Sequence, residues 1–502
     1  MALCALVVGA AWSLASPPGA APDDNFHLAS IWCAYGFNGD CGRVSGQPDQ
    51  RLLPSEVPAA SCFAQDPEKS GACQEAQDGV LRLDAPVNDG NWRGSYPPVF
   101  YDVLHPLIGD SFYGSIVRMR LFNAFLVVAM LAALGALVPR RLRAVATVPM
   151  LVTSVPLGIS LLASTNPSSW TMVNAAVLWV ALYSAFETAG RRRVGLWALA
   201  LLAEVIGAGA RADAAIFSAV AVALVLLLRA GAWRDARRHV GTLVVALVCT
   251  VIGAAFFLSA GQSSVVSAGF GVGNGESTST AELVVANLQQ LPVLWVGGLG
   301  FGFMGSIGWL DTVFPPLVSF LTLAIWAGLV FSGWRVQSRL KMLGLLALAA
   351  ALTVYPMYLL TKSHLSVGQG FQPRYLLPLL IMLTGLSLLP VRRHRLRLSG
   401  TQVTVAAAGL GIAQLIALYT QLRRYVTGSD RSGWNLDAGR EWWWGGPFSA
   451  TFVWVAGSVA FLLLSYGLLR LLAGPEPIEA EDDTATVDRV PARDERAQPV
   501  SA

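Results

Sequence analysis

The sequence predicts an all-α, polytopic transmembrane helical bundle of about twelve helices, with a disulfide-bearing extracytoplasmic loop after the first. Three observations predict it. Of 502 residues, 54% are hydrophobic and only 13% charged, whereas a soluble domain carries about 25% charged residues. Apolar runs recur at lengths near the roughly 20 residues that one bilayer crossing needs. Arginine clusters fall in every second loop, as the positive-inside rule requires of cytoplasmic loops. The net charge of +4 comes from those short clusters, which form no basic surface for nucleic acid.

In chain order the apolar runs lie near 1–16, 116–138, 144–163, 170–189, 194–210, 214–229, 240–260, 313–334, 342–360, 375–390, 399–420 and 448–472. Between them come Arg140, Arg141 and Arg143; Arg191, Arg192 and Arg193; Arg229, Arg234, Arg237 and Arg238; Arg335, Arg339 and Lys341; and Arg392, Arg393, Arg395 and Arg397. This alternation puts the loop before residue 116 outside and the C-terminus in the cytoplasm. The first run is short, with no basic residue before it. It reads as a membrane helix starting upstream of Met1, or as a signal peptide with small residues near Ala15. The glycine-rich stretch 283–308 lies between segments that parity places outside, so it reads as re-entrant, which protein or water must cover.

Residues 17–115 form a polar insert with 13 acidic residues against five basic ones, and they hold Cys33, Cys41, Cys62 and Cys73. An even number of cysteines in an exported segment favours disulfides, most simply Cys33–Cys41 and Cys62–Cys73. Residues 1–472 form one membrane domain, and the acidic, proline-rich tail 473–502 reads as disordered. The glycine-rich run from Gly269 to Gly275 lacks the strand–helix context of a phosphate loop and reads as an outer loop.

Chemistry concentrates on the predicted outer side, since charges at membrane spans are costly and favour function. Asp23, Asp24 and His27 follow the first run. They suit a general base for a hydroxyl or a divalent-metal site, or simply the start of a helix running through Trp32. Tyr96-Pro97-Pro98 leads through Tyr101 to Asp102 and His105 as a rigid aromatic corner. Arg118 and Arg120 suit a phosphate or snorkelling to headgroups. Glu204, Arg211 and Asp213 read as an internal ion-pair group. Asn166-Pro167, Asp311, Gln372, Arg374 and Tyr375 lie at further outer helix ends. Trp442, Trp443 and Trp444 read as an aromatic belt.

Pro22-Asp23-Asp24 with His27, Tyr96-Pro97-Pro98, Asn166-Pro167, Gly308-Trp309-Leu310-Asp311-Thr312 and Arg374-Tyr375-Leu376-Leu377-Pro378 together resemble the GT-C superfamily of integral-membrane glycosyltransferases. The nearer resemblance is to a subfamily of predicted polytopic membrane proteins common in actinobacteria, and it runs from about 17 to 447. That subfamily usually has Glu at the position of Asp24. The resemblance implies a polyprenyl-linked sugar donor, an envelope glycan or lipid acceptor, and a catalytic carboxylate at Asp23 or Asp24. Arg120, Arg211 and Arg374 are the arginines for the donor phosphate. It implies no certain cofactor, and a divalent metal stays open. The competing class is a transporter or lipid flippase of about twelve helices, which places polar groups near the midplane in paired halves. A non-catalytic envelope protein is the third.

Overall fold

The computed structural model describes residues 1–74, 81–231, 236–269, 279–392 and 394–474. Helix α1 (Ala2–Leu14) packs between α5 (Phe112–Leu137) and α18 (Ala450–Leu469). The insert between α1 and α5 holds α2 (Asp24–Trp32), β1 (Gly42–Arg43), β2 (Arg51–Pro54), α3 (Glu56–Ala59), β3 (Leu83–Val87) and α4 (Val99–Leu104). Its strands form an antiparallel sheet in the order β1-β2-β3, pairing Gly42 with Leu52 and Leu52 with Pro86. The all-α expectation therefore fails inside the insert, where short, proline-broken runs such as Leu83–Val87 cannot hold a helix. Both expected disulfides are present, Cys33–Cys41 and Cys62–Cys73. Non-reducing peptide mapping should find no free thiol among these four. Replacing either pair by serine should cost about 2–3 kcal/mol for loops of this length, read as a lower unfolding temperature.

The remaining helices are α6 (Arg143–Ser154), α7 (Leu157–Leu162), α8 (Ser168–Ala185), α9 (Gly190–Ala210), α10 (Ala214–Leu228), α11 (Ala236–Ser259), α12 (Gln262–Ala268), α13 (Thr280–Gly297), α14 (Pro316–Gly333), α15 (Arg339–Lys362), α16 (Leu377–Leu388) and α17 (Gly400–Val426). Seven helices among the described residues are long and apolar enough to cross a membrane, and α1, α10 and α16 are shorter apolar helices. Ser279 and Ser399 start α13 and α17 with capping boxes closed by Glu282 and Gln402, satisfying otherwise orphaned N–H groups. The core sits around α8, buried along its whole length and packed on α5, α9, α10 and α16.

Alternate loops gather at opposite ends of the bundle. At one end, the insert face, Asn166 Nδ2 donates to the Pro22 carbonyl (2.7 Å), Gly261 N–H to Gly94 (2.8 Å) and Ser429 N–H to Pro67 (2.9 Å). At the other, the arginine face, Glu187 pairs with both Arg141 and Arg229. Lys341 Nζ there donates to the carbonyls of Gly333, Val336, Ser387 and Leu389 at 2.8–3.2 Å. The arginine alternation thus maps onto two physical ends.

The run 144–163 is broken into α6 and α7 at Val155–Pro156, because proline offers no N–H to continue the helix. The stretch 283–308 contains α13, whose Asn287 bonds Leu365 and Val367 at the insert face. Its Trp295 reaches the Leu352 carbonyl, deeper along α15. The chain then turns back to Trp309, whose Nε1 donates to Gly19 at the insert face (2.9 Å). It enters and leaves on one side. Arg234, Arg393, residues 270–278 and the tail from 475 lie outside the described residues.

Candidate functional site

The turn after α1 presents the acidic pair. Asp23 is the N-cap of α2 with φ of 60°, a left-handed conformation that strains any residue with a Cβ and that Asp tolerates better than most. Two anchors hold the turn: Asn166 grips the Pro22 carbonyl, and Asp24 closes back on its own backbone. The Asp24 carboxylate is fully buried and accepts from Ala21 N–H (3.0 Å) and Thr165 Oγ1 (2.6 Å). Adjacent residues at a helix start point apart, so this leaves Asp23 aimed elsewhere.

Asp23 Oδ2 accepts from Arg374 Nη2 at 2.5 Å, across 351 residues of sequence. The guanidinium is almost fully buried while the carboxylate side chain is 46% exposed. Arg374 Nη2 also donates to Tyr375 Oη (3.2 Å), but its Nε and Nη1 are buried without partners among the described residues. Such unsatisfied donors are costly in a closed site and suit an anion. Beside them, Arg211 makes a two-point pair with Asp213 (2.9 and 2.6 Å) and stands 5.0 Å from the Tyr375 ring centroid and 5.7 Å from that of Tyr96. His27 completes the wall: its Nδ1 lies 3.0 Å from Tyr101 Oη, and its ring meets Tyr96 edge-on at 5.5 Å.

Burial alone would raise the Asp23 carboxyl, but Arg374, with His27 and Arg211, outweighs it and holds the pKa below its ordinary value. Asp24 goes the other way: burial, opposed by Arg120 and the Thr165 hydroxyl, pushes it up to about 6. Burial, opposed by Asp23, pushes His27 down to about 3, so it is neutral at pH 7. These shifts set opposed pH dependences. His27 binds a proton more readily unfolded, so it removes stability as pH falls from 6.5 toward 3. Asp24 binds one more readily folded, so its ionisation removes stability as pH rises from 3.8 to 6. The two nearly cancel between pH 6 and 4. His27→Gln should therefore make the protein gain stability on acidification over that window, and Asp24→Asn should make it lose stability, each by about 1.4 kcal/mol per pH unit. Thermal unfolding in nanodiscs across that range checks it. Parallel slopes in the two variants would refute the assignment.

The structure brings together Asp23, His27, Tyr96, Arg211, Arg374 and Tyr375, with Asp24 and Asn166 behind them as supports. Gln372 accepts at its carbonyl from Tyr375 N–H (3.1 Å). Four expected placements change. Arg120 is buried, and its Nη1 and Nη2 donate to the carbonyls of Ser13, Ser16 and Pro17 at the end of α1 (2.6–3.1 Å), so it holds backbone there, with only its Nε left without a partner among the described residues. Asp311 sits apart, in a buried pair with Arg424 (2.9 Å). Glu204 is not part of the Arg211–Asp213 pair; it lies deep in α9 near Asn174 Nδ2 (3.5 Å), which also reaches Ser218. Arg118, near the start of α5, donates to Ser115 Oγ in the same helix and to the Leu107 carbonyl just before it.

Among the described residues, no three His, Cys, Asp or Glu side chains gather to hold a metal. A divalent cation needs several oxygen ligands. Asp24 is spent on local bonds, and Asp23 stands beside two guanidinium groups, so this site does not fit one. Sequence reasoning missed Thr165 as a site member; its only signal was its place just before Asn166-Pro167. It also read Tyr101 only as part of a rigid aromatic corner.

No curated protein matches the chain. Residues 6–383, well over half of the sequence, match the family described as predicted membrane protein (DUF2142), and the chain belongs to that family.

Proposed function

We propose that this protein is a membrane glycosyltransferase of the GT-C kind, built on about twelve membrane passes. It transfers a sugar from a polyprenyl-phosphate or polyprenyl-diphosphate donor to an envelope glycan or lipid acceptor at the insert face. One observation carries the reading: a half-exposed carboxylate held against a buried guanidinium with two unpaired nitrogens. That puts a base beside a phosphate grip. Arg374, backed by Arg211, holds the donor phosphate, and Asp23 takes the proton of the acceptor hydroxyl. The hydroxyl oxygen then bonds the anomeric carbon as the bond from that carbon to the phosphate oxygen breaks, and the electron pair leaves with the phosphate. Arg374 keeps Asp23 a weak base while the site is empty. A donor phosphate on that guanidinium offsets its charge and restores basicity when substrate is present.

The purified protein in bilayers, given a polyprenyl-phosphate sugar and envelope extract, should yield a glycosylated product by mass spectrometry. No product from any lipid-linked donor would sink the reading. In this reading the insert face lies outside and the C-terminus in the cytoplasm. Single cysteines at Asp89 and Asp430, both exposed at the insert face, should label in intact cells; at Arg140 and Arg395 they should label only after permeabilisation. The reverse pattern would invert the orientation.

A further inference from the structure

The arginine face carries a groove of about 540 Å³ between the end of α14, the 396–400 stretch and the start of α17. Arg335 and Arg397 line it with Ser332, Ser399 and Gln402, and no acid lines it among the described residues. Burial and the like charge of Arg395 hold the Arg397 guanidinium below its ordinary pKa. Among the described residues Glu187 is the acid of this face, and it is already paired with Arg141 and Arg229. That leaves no described acid for Arg392, Arg395 or Arg397. Arg397 Nη1 donates to the Ala473 carbonyl (3.0 Å), and its Nε is buried without a partner among the described residues. The carbonyl is neutral, so the positive charge stays uncompensated.

The same contact fixes where the chain leaves the bundle. Leu398 N–H donates to the Leu472 carbonyl (2.8 Å), and Leu398 forms a parallel bridge with Ala473. Gly474, with φ of 148°, lines the groove, and a Cβ there would strike Arg397 Nη1. From that point the sequence runs on through Glu476, Glu479, Glu481, Asp482 and Asp483, with no basic residue between 475 and 483. At no more than about 3.6 Å per residue, the chain keeps Glu476 within about 7 Å of Gly474 and Asp483 within about 32 Å. A segment tethered this closely meets the groove at an effective concentration on the order of millimolar. Its charge is opposite to that of the lining.

We infer that residues 476–483 of this chain bind the groove at Arg395 and Arg397, so that the chain's own acids close this part of the arginine face. An anionic headgroup carries the same charge but has no tether to the groove. The inference is independent of the glycosyltransferase reading, since the groove lies at the end of the bundle opposite Asp23.

The test uses the full chain, one copy per phosphatidylcholine nanodisc, and a glutamate-specific protease. Cleavage after Glu476, Glu479 and Glu481 is timed by mass spectrometry against the free 474–502 peptide at the same salt. At low salt the protein should be cut at least about fivefold more slowly than the peptide, as expected from two or three exposed ion pairs. At about 1 M salt, where the screening length falls to about 3 Å, the two rates should converge. The double variant Arg395→Gln, Arg397→Gln should be cut at the peptide's rate while melting close to the parent. A second double variant, Asp482→Asn, Asp483→Asn, leaves the bundle untouched and should lose part of the protection. Peptide-like cutting of the parent at low salt would overturn the inference. Protection that survives high salt or both variants would do so too, since it would then be shielding by the disc. Loss of protection when phosphatidylglycerol replaces phosphatidylcholine would give the groove to lipid headgroups instead.

Discussion

Asp23→Asn should leave the protein folded and cut sugar transfer by about a hundredfold or more, as expected on losing a general base. Asn keeps the shape and tolerates the left-handed backbone at this position. It cannot take the acceptor proton. It also frees Arg374 from its carboxylate partner, so donor binding should hold or tighten while turnover collapses. Asp24→Asn makes the contrast, because that carboxylate faces Ala21 N–H and Thr165 and not the open site. Its cost should fall on stability, with transfer in the folded fraction close to the parent rate. Single-turnover assays at saturating donor separate the two. Parent-rate transfer by Asp23→Asn would remove Asp23 from the chemistry, and an equal loss in both variants would mean that the turn matters only as a structure.

Arg424→Met should produce the largest loss of stability, about 3–5 kcal/mol, as expected when one member of a buried ion pair is removed. The Arg424–Asp311 pair is buried on both sides, with side chains 1% and 4% exposed. Arg424 also donates to the carbonyls of Lys69 (2.6 Å) and Phe63 (2.9 Å). One side chain thus ties α17 to the Cys62–Cys73 loop and to the 308–312 turn. Removing it strands a carboxylate and two carbonyls. Adding Asp311→Asn to the same chain should restore part of the loss, because no buried charge is then left alone. Thermal unfolding of the three variants in nanodiscs measures this, and an Arg424→Met protein that melts with the parent would show that the pair is solvated.

Much of the fold was legible because bilayer physics writes plainly in sequence. Hydrophobic length marked most helices, and arginine alternation predicted which loops share an end. The two disulfides followed from four cysteines in one exported segment. Less legible was anything fixed by single contacts. The insert's small sheet escaped notice because β1 and β2 are two and four residues long, too short for an alternating pattern to show. At the site, the sequence offered Asp23 and Arg374 as separate candidates, but nothing local says that residues 351 apart touch. Arg120 and Arg374 look alike in sequence, each at the outer end of an apolar run. What separates them is the group opposite: three carbonyls meet Arg120, and a carboxylate meets Arg374.

The clamp around Lys341 bears on how the protein can be handled. The sequence has three lysines. Lys341, 1% exposed, has its ammonium surrounded by four carbonyls at the ends of α14 and α16. Lys69 and Lys362 are both exposed and both lie at the insert face. Amine-reactive chemistry on lysine is thereby confined to one end of the molecule. Lysine-directed crosslinks of the detergent-solubilised protein would therefore map to the end that carries Asp23. Clipping by a lysine-specific protease would likewise be limited to that end, leaving the helices at the arginine face uncut.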